Sequence, residues 1–200
     1  MDERQILLET QKFHGHKCWA STAGVRAGLA ALRALGVERS PGAQLYGIIE
    51  IGDDHAAMCF GDGIQYTTGC TLGKGNIRKR PYGKLAFTLI EKASGRAVRV
   101  SYKPTLQKQI SATPFMQKRA AGIYPNEIPE EEVMEPVNLI WDAAEADILK
   151  IEPVFESDEE FFPEVMGFEP CARCGELVAL PYLRVANGKH YCISCSDYDR

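Results

Sequence analysis

Two scarce residue types crowd one hexapeptide near the start of the chain. Phe13-His14-Gly15-His16-Lys17-Cys18 holds two of the four histidines and one of the seven cysteines. Read as an extended run, alternate side chains point the same way, which puts His14, His16 and Cys18 on one face. Two imidazoles beside a thiol are the donors of a transition-metal site or the base and nucleophile of a thiol enzyme. Gly15 admits close approach and backbone angles that other residues avoid. The plainer reading is a polar helix entry with a half-buried histidine.

Further along, Cys59 and Asp62 fall three apart, on one face if the segment His55–Tyr66 is helical. That pairing suits a metal ligand and a base, or equally a core cysteine and a surface acid. Gly61 and Gly63 weaken such a helix by about 1 kcal/mol each, a cost that usually marks close backbone contact or a pocket. The loop Gly69-Cys70-Thr71-Leu72-Gly73-Lys74-Gly75-Asn76 invites comparison with a phosphate-binding loop and fails it. Three residues separate the first two glycines instead of four, and glycine follows the lysine where serine or threonine is needed. Its amides remain able to hold an anion or shape a pocket. Lys74, Arg78, Lys79, Arg80 and Lys84 form the densest basic cluster, either a solvated loop or a landing site for an acidic ligand.

At the other end, Cys171-x2-Cys174 and Cys192-x2-Cys195 are separated by seventeen residues, the spacing of a four-cysteine zinc site. Gly175 permits the turn around the first pair, and Ala186-Asn187-Gly188-Lys189 reads as a hairpin turn. So small a segment cannot bury a core unaided, so Zn²⁺ binding and folding are expected to be coupled. Iron is the main rival metal. His190 is expected on the hairpin surface, because four sulfurs already complete the shell.

The elements that must position these groups can be read from periodicity. Residues 2–13 form a helix packing Ile6, Leu7 and Phe13. A second helix, capped by Ser21 or Thr22, runs to Leu35 and stops at Gly36. Cys18 then lies at its positive end, where a thiolate is stabilised. Leu45–Ile51 reads as a buried strand closed by Gly52-Asp53-Asp54. Leu85–Lys92 and Ala97–Lys103 alternate as a hairpin. Residues 104–123 include a helix ending at Gly122. Pro129 and Pro136 frame an acidic helix start that continues through Val137, Ile140, Trp141 and Ala144, and Ile148–Phe155 returns as a strand.

Composition is that of a soluble globular protein, 45% hydrophobic and 25% charged. The charged N-terminus lacks a signal-peptide core, and no apolar run reaches membrane-spanning length. A cytoplasmic location follows, in which cysteines serve as ligands or reactive thiols rather than disulfides. The net charge of −4 is uneven: 19 basic against 18 acidic residues to position 155, then 4 against 9. The acidic tail argues against binding a phosphate backbone, leaving a nucleic-acid role for the zinc segment as the weaker option.

FHGHKC, a Cys-x2-Asp some forty residues on, and GCTLGKGN together resemble the E-subunit family of formylmethanofuran dehydrogenase, as does the hairpin ending in AVRV. The likeness covers most of residues 10–155, and the tail resembles members with a C-terminal zinc-finger extension. It implies an α+β fold with a mixed or antiparallel sheet and packed helices over 1–155. An acidic linker over 156–169 and a zinc-ribbon or treble-clef-like finger over 170–200 would follow. It also implies a homodimer and an association with a molybdenum or tungsten formylmethanofuran dehydrogenase or related redox complex. Its site would gather His14, His16 and Cys18 with Cys59, Asp62 and Cys70. Trp19-Ala20 stand where that family usually shows Pro-Gly, and Gly63 where it usually shows Ala.

Two functions follow. One is a metal-binding accessory protein with a second transition metal held by His14, His16, Cys18, Cys59 and Cys70, Asp62 orienting a histidine or taking a proton. The other is a thiol enzyme with Cys18 as nucleophile and a histidine as base, Cys18 and Asp62 being its catalytic candidates.

Overall fold

The computed structural model describes residues 2–53, 55–161 and 167–196, with backbone alone for 55–57. The chain forms two compact units, Met1–Glu159 and Glu160–Arg200. Asp54 of the expected turn, residues 162–166 of the expected linker and the last four residues of the tail lie outside the described residues.

In the first unit, helix α1 (Glu3–His14) begins where the Asp2 carboxylate accepts the Gln5 amide at 2.7 Å. It ends at Gly15, whose φ of 89° turns its N–H back onto the Gln11 carbonyl. His14 is therefore the last helical residue, and the hexapeptide is a helix end plus a turn. That corrects the extended reading, and left-handed Gly15 is the physical reason.

Helix α2 (Trp19–Leu35) starts one turn earlier than the Ser21/Thr22 expectation, with Cys18 in the N-cap position. The two hydroxyls instead donate back to the Cys18 carbonyl, at 3.0 and 2.8 Å. Helix α3 (His55–Thr68) lies against α2 with almost nothing between the backbones. A Cβ on Gly24 would stand 2.1 Å from the Phe60 carbonyl oxygen, and one on Gly63 2.2 Å from that of Ser21. Only glycine permits this approach, which brings the start of α2 beside Cys59.

Strands β1 (Leu45–Ile49), β2 (Ile77–Lys79), β3 (Ala86–Glu91), β4 (Arg96–Tyr102) and β5 (Leu149–Ile151) form a sheet ordered β2-β1-β3-β4-β5, and β6 (Phe155–Glu156) also pairs with β4. The β1–β2 ladder is parallel and the others antiparallel, so the α+β fold with a mixed sheet is as expected. The hairpin forms as read, Ala86 opposite Ser101 and Ile90 opposite Ala97. The return over 148–155 is broken: α7 (Glu145–Ile148) leads into β5, and a gap precedes β6. Phe60 and Ile64 of α3 meet Phe87, Leu89, Val98 and Val100 of the sheet in the main core.

Residues 107–120 make two short helices, α4 (Gln107–Ala112) and α5 (Pro114–Ala120), instead of one. Thr113 precedes a proline and is pushed to extended angles, which ends α4. Helix α6 (Glu130–Asp142) runs through Pro136, forgoing one hydrogen bond. Arg26 of α2 reaches its C-terminal carbonyls, donating to Ile140 at 3.1 Å and Ala143 at 3.0 Å.

The second unit holds two antiparallel pairs, β7 (Phe168–Pro170) with β8 (Leu177–Ala179) and β9 (Leu183–Ala186) with β10 (Lys189–Cys192). Asn187 and Gly188 both have positive φ, 49° and 70°, as a two-residue type I′ hairpin turn requires.

Candidate functional site

His14, His16 and Cys18 come together despite the helical start of the segment: their donor atoms lie within 4.8 Å of one another. The rings of His14 and His16 are 4.3 Å apart, centroid to centroid. His14 Nδ1 meets Asp62 Oδ2 of α3 at 2.7 Å. An ionised carboxylate only accepts, so Nδ1 carries a hydrogen, and a metal at Nε2 would have to displace the second proton of the imidazolium. That Nε2 is buried without a hydrogen-bond partner. A ligating histidine held by a carboxylate has this arrangement. The Asp62 bond, reinforced by the Cys18 sulfur, pushes the His14 imidazole up to about 9.

Cys18 is buried at the N-cap of α2. Cys59 lies within hydrogen-bonding reach across the α2–α3 contact. Its thiol donating to the Cys18 sulfur, joined by His14 and His16, draws the Cys18 thiol well below its usual range, against the effect of burial. The same bond, with burial, pushes Cys59 the other way. Cys70 stands apart from this group. It is fully buried, faces Gly47 of β1, and burial raises its thiol to about 11.

A cavity of about 650 Å³ opens from this centre. His14, His16, Cys59, Asp62 and Gln65 line one part of it, and apolar side chains such as Ile49, Ile51 and Leu72 line the rest. Arg78 and Lys79 also border it, but Arg78 is paired with Glu159 at 2.7 Å and Lys79 with Asp53. Lys74 donates to the Ser40 and Gly42 carbonyls at 3.2 and 3.0 Å. Much of the basic cluster is thus engaged within the chain. The glycine-rich loop is pinned from below: buried Asn76 accepts the Thr71 amide at 2.8 Å and donates to the Leu45 carbonyl at 3.0 Å.

In the second unit the sulfurs of Cys171, Cys174, Cys192 and Cys195 lie within 4.8 Å of one another, Cys174 and Cys192 at 4.0 Å. Tetrahedral zinc with bonds of about 2.3 Å sets sulfurs roughly 3.8 Å apart, so the cluster fits the metal. Backbone amides of Cys174, Cys192 and Arg173 turn toward the Cys171 sulfur and lower its thiol to about 6. His190 pairs with Glu169 and stays outside the cluster.

Several features had not been read from sequence. One is the salt bridge of Arg99 to Glu50 at 2.6 and 2.8 Å and to Glu152 at 3.0 Å, which ties β4 to the chain leaving β1. The pairing of Glu159 with Arg78 and Arg80 is another. Neither has a local signature, since each joins segments far apart in the chain.

Residues 13–156 match the family described as FmdE, molybdenum formylmethanofuran dehydrogenase operon. Residues 167–197 match the prokaryotic dksA/traR C4-type zinc finger. A curated protein of Archaeoglobus fulgidus, named a probable S-adenosyl-L-methionine-binding protein, is 28% identical over 96% of this chain. The chain spans about half of that relative, 52% of its length. Among solved structures, an FmdE-like protein of the tungsten formylmethanofuran dehydrogenase type, from Syntrophus aciditrophicus, superposes with a TM-score of 0.59 at 20% identity. The superposition covers 99% of this chain and 95% of that one. Matched over most of its length, the chain belongs to the FmdE family and carries a C4-type zinc finger at its C-terminal end.

Proposed function

We propose that the protein is a cytoplasmic accessory factor with two metal centres. A structural zinc would be held by Cys171, Cys174, Cys192 and Cys195, and a transition metal by His14 Nε2, His16 and Cys18. The observation that carries the second centre is the buried, unpartnered Nε2 of His14, oriented by Asp62 and grouped with two further donors. One thiolate and two imidazoles suit zinc, cobalt, nickel or copper, and a fourth position would open toward the cavity. Cys59 would act through its bond to Cys18, and Cys70 falls outside the ligand set.

The reading includes a main domain over 1–155, a connection over 156–169 and the zinc finger over 170–200. It also includes a homodimer serving a formylmethanofuran dehydrogenase-type or related redox complex. Exposed Phe13, Met58 and Leu72 are apolar surface that such pairing would cover. Seven free cysteines suit a reducing compartment. Among the described residues, no helix is long and apolar enough to cross a membrane.

Metal content of the full-length protein tests the reading. Two equivalents per chain are expected in the wild type and one in Cys18→Ser. One equivalent in both would remove the second centre.

A second reading is favoured by the Asp62–His14–Cys18 series at a helix start beside a cavity: a thiol enzyme with Cys18 as nucleophile. Alkylation of Cys18 by iodoacetamide in metal-free protein at neutral pH is its expected outcome. An unmodified Cys18 would count against it.

A further inference from the structure

A second, smaller cavity of about 290 Å³ borders the same centre. The two hollows share His16 and Cys59 in their linings. Cys18 and Trp19 line the small hollow from α2, and Phe115, Met116 and Arg119 line it from α5. Its surface is mostly apolar, and Arg119 is the cation on it. That guanidinium gives one N–H to the Ile123 carbonyl at 2.6 Å. Among the described residues it has no carboxylate partner. This separates it from Arg78 and Lys79 of the larger cavity, which acids already neutralise.

The geometry points to a second ligand subsite here, in which Arg119 receives the carboxylate of a short-chain acid whose other end reaches toward the Cys18–Cys59 sulfurs. An unpaired arginine in a largely apolar pocket retains its full charge and a fork of donors that matches a planar carboxylate. Among the described residues Arg119 is the only arginine or lysine lining the hollow, which suits a monoanion better than a phosphate dianion. The volume admits a stem of a few carbons, which Phe115, Met116 and Trp19 would enclose. The inference deepens the proposed function by naming a ligand class for its centre, and it rests on that reading only for the sulfurs being the working end.

Butanoate and its neutral counterpart butanamide are the probes, titrated into the full chain by ligand-observed NMR. Butanoate is expected to bind the wild type at least tenfold more tightly than butanamide. Arg119→Gln should erase that preference and Arg119→Lys should keep part of it. Arg78→Gln should leave it within twofold. The metal content of the same wild-type sample, measured alongside, reads the proposed centre separately from the subsite. Equal binding of the two probes by the wild type would overturn the proposal without using any variant. So would a loss of preference in Arg78→Gln with none in Arg119→Gln. A preserved preference in a protein holding one metal equivalent would uphold the subsite while the second metal centre failed.

Discussion

Asp62 holds the Nδ1 side of His14 at 2.7 Å and so fixes the orientation of the ring and the direction of Nε2. Asp62→Asn is expected to lower affinity for the first-unit metal by about 10–100-fold, measured by competition with a chromophoric chelator. The zinc-finger metal should be unaffected. Glu50 offers a test away from any ligand. Arg99 holds its carboxyl below the ordinary range, chiefly through their hydrogen bonds and against the opposing effect of burial. A lowered folded value means that the pair stabilises the fold above the unfolded carboxylate value of about pH 4.3. The contribution fades as pH falls through the lower folded value. Glu50→Gln should therefore cost about 1.5–3 kcal/mol at neutral pH, and its stability should fall less than the wild type's on acidification. Denaturant titration at pH 7 and pH 3.5 would measure both, and equal acid sensitivity would contradict the assignment.

Between α2 and α3, two glycines set how closely the thiols can meet. Gly63→Ala would place a methyl 2.2 Å from the Ser21 carbonyl oxygen, so the helices must separate. A loss of about 1–3 kcal/mol is expected, together with weaker metal retention, because Cys59 moves away from Cys18. Thermal unfolding and metal content of the same variant would check the two effects together. Gly63 signals close contact from sequence alone, since a helix keeps so costly a residue only for a reason, whereas Gly24 within α2 carries no such reading. The stop at Gly36, the β3–β4 hairpin and the type I′ turn were legible because each depends on a few adjacent residues. Gly15 takes the backbone angle expected of it, and what the extended reading of the run left out is that a glycine following Lys12 and His14 is how a helix ends. Strand β2 escaped notice because only Ile77 of its three residues is buried, which leaves no alternation to read. Arg119 has no local signature, as the role proposed for it depends on α5 and the start of α2 lining one cavity. Gathering His14, His16 and Cys18 needed only local sequence, whereas adding Asp62 and Cys59 depended on the crossing of distant helices.

Across the whole chain, metal is expected to do different things in the two units. The first has a core of its own between helices and sheet. Among the described residues of the second, Cys171 and Cys192 alone are buried, and its four sulfurs take the place of a core. Strong chelation should therefore expose residues 167–196 to protease while the 1–159 unit stays resistant, as followed by mass spectrometry of the fragments. Simultaneous digestion of both units would contradict that division. The acidic end of the first unit is held down by Arg78 and Arg80 on Glu159, so cleavage is expected beyond position 159. The central claim is most directly tested by anomalous diffraction from crystals grown with cobalt or zinc, recorded on either side of the metal edge. The account predicts two peaks per chain, one among Cys171, Cys174, Cys192 and Cys195 and one bonded to His14 Nε2, His16 and Cys18. A single peak at the four cysteines, with His14 Nε2 still without a partner, would contradict it.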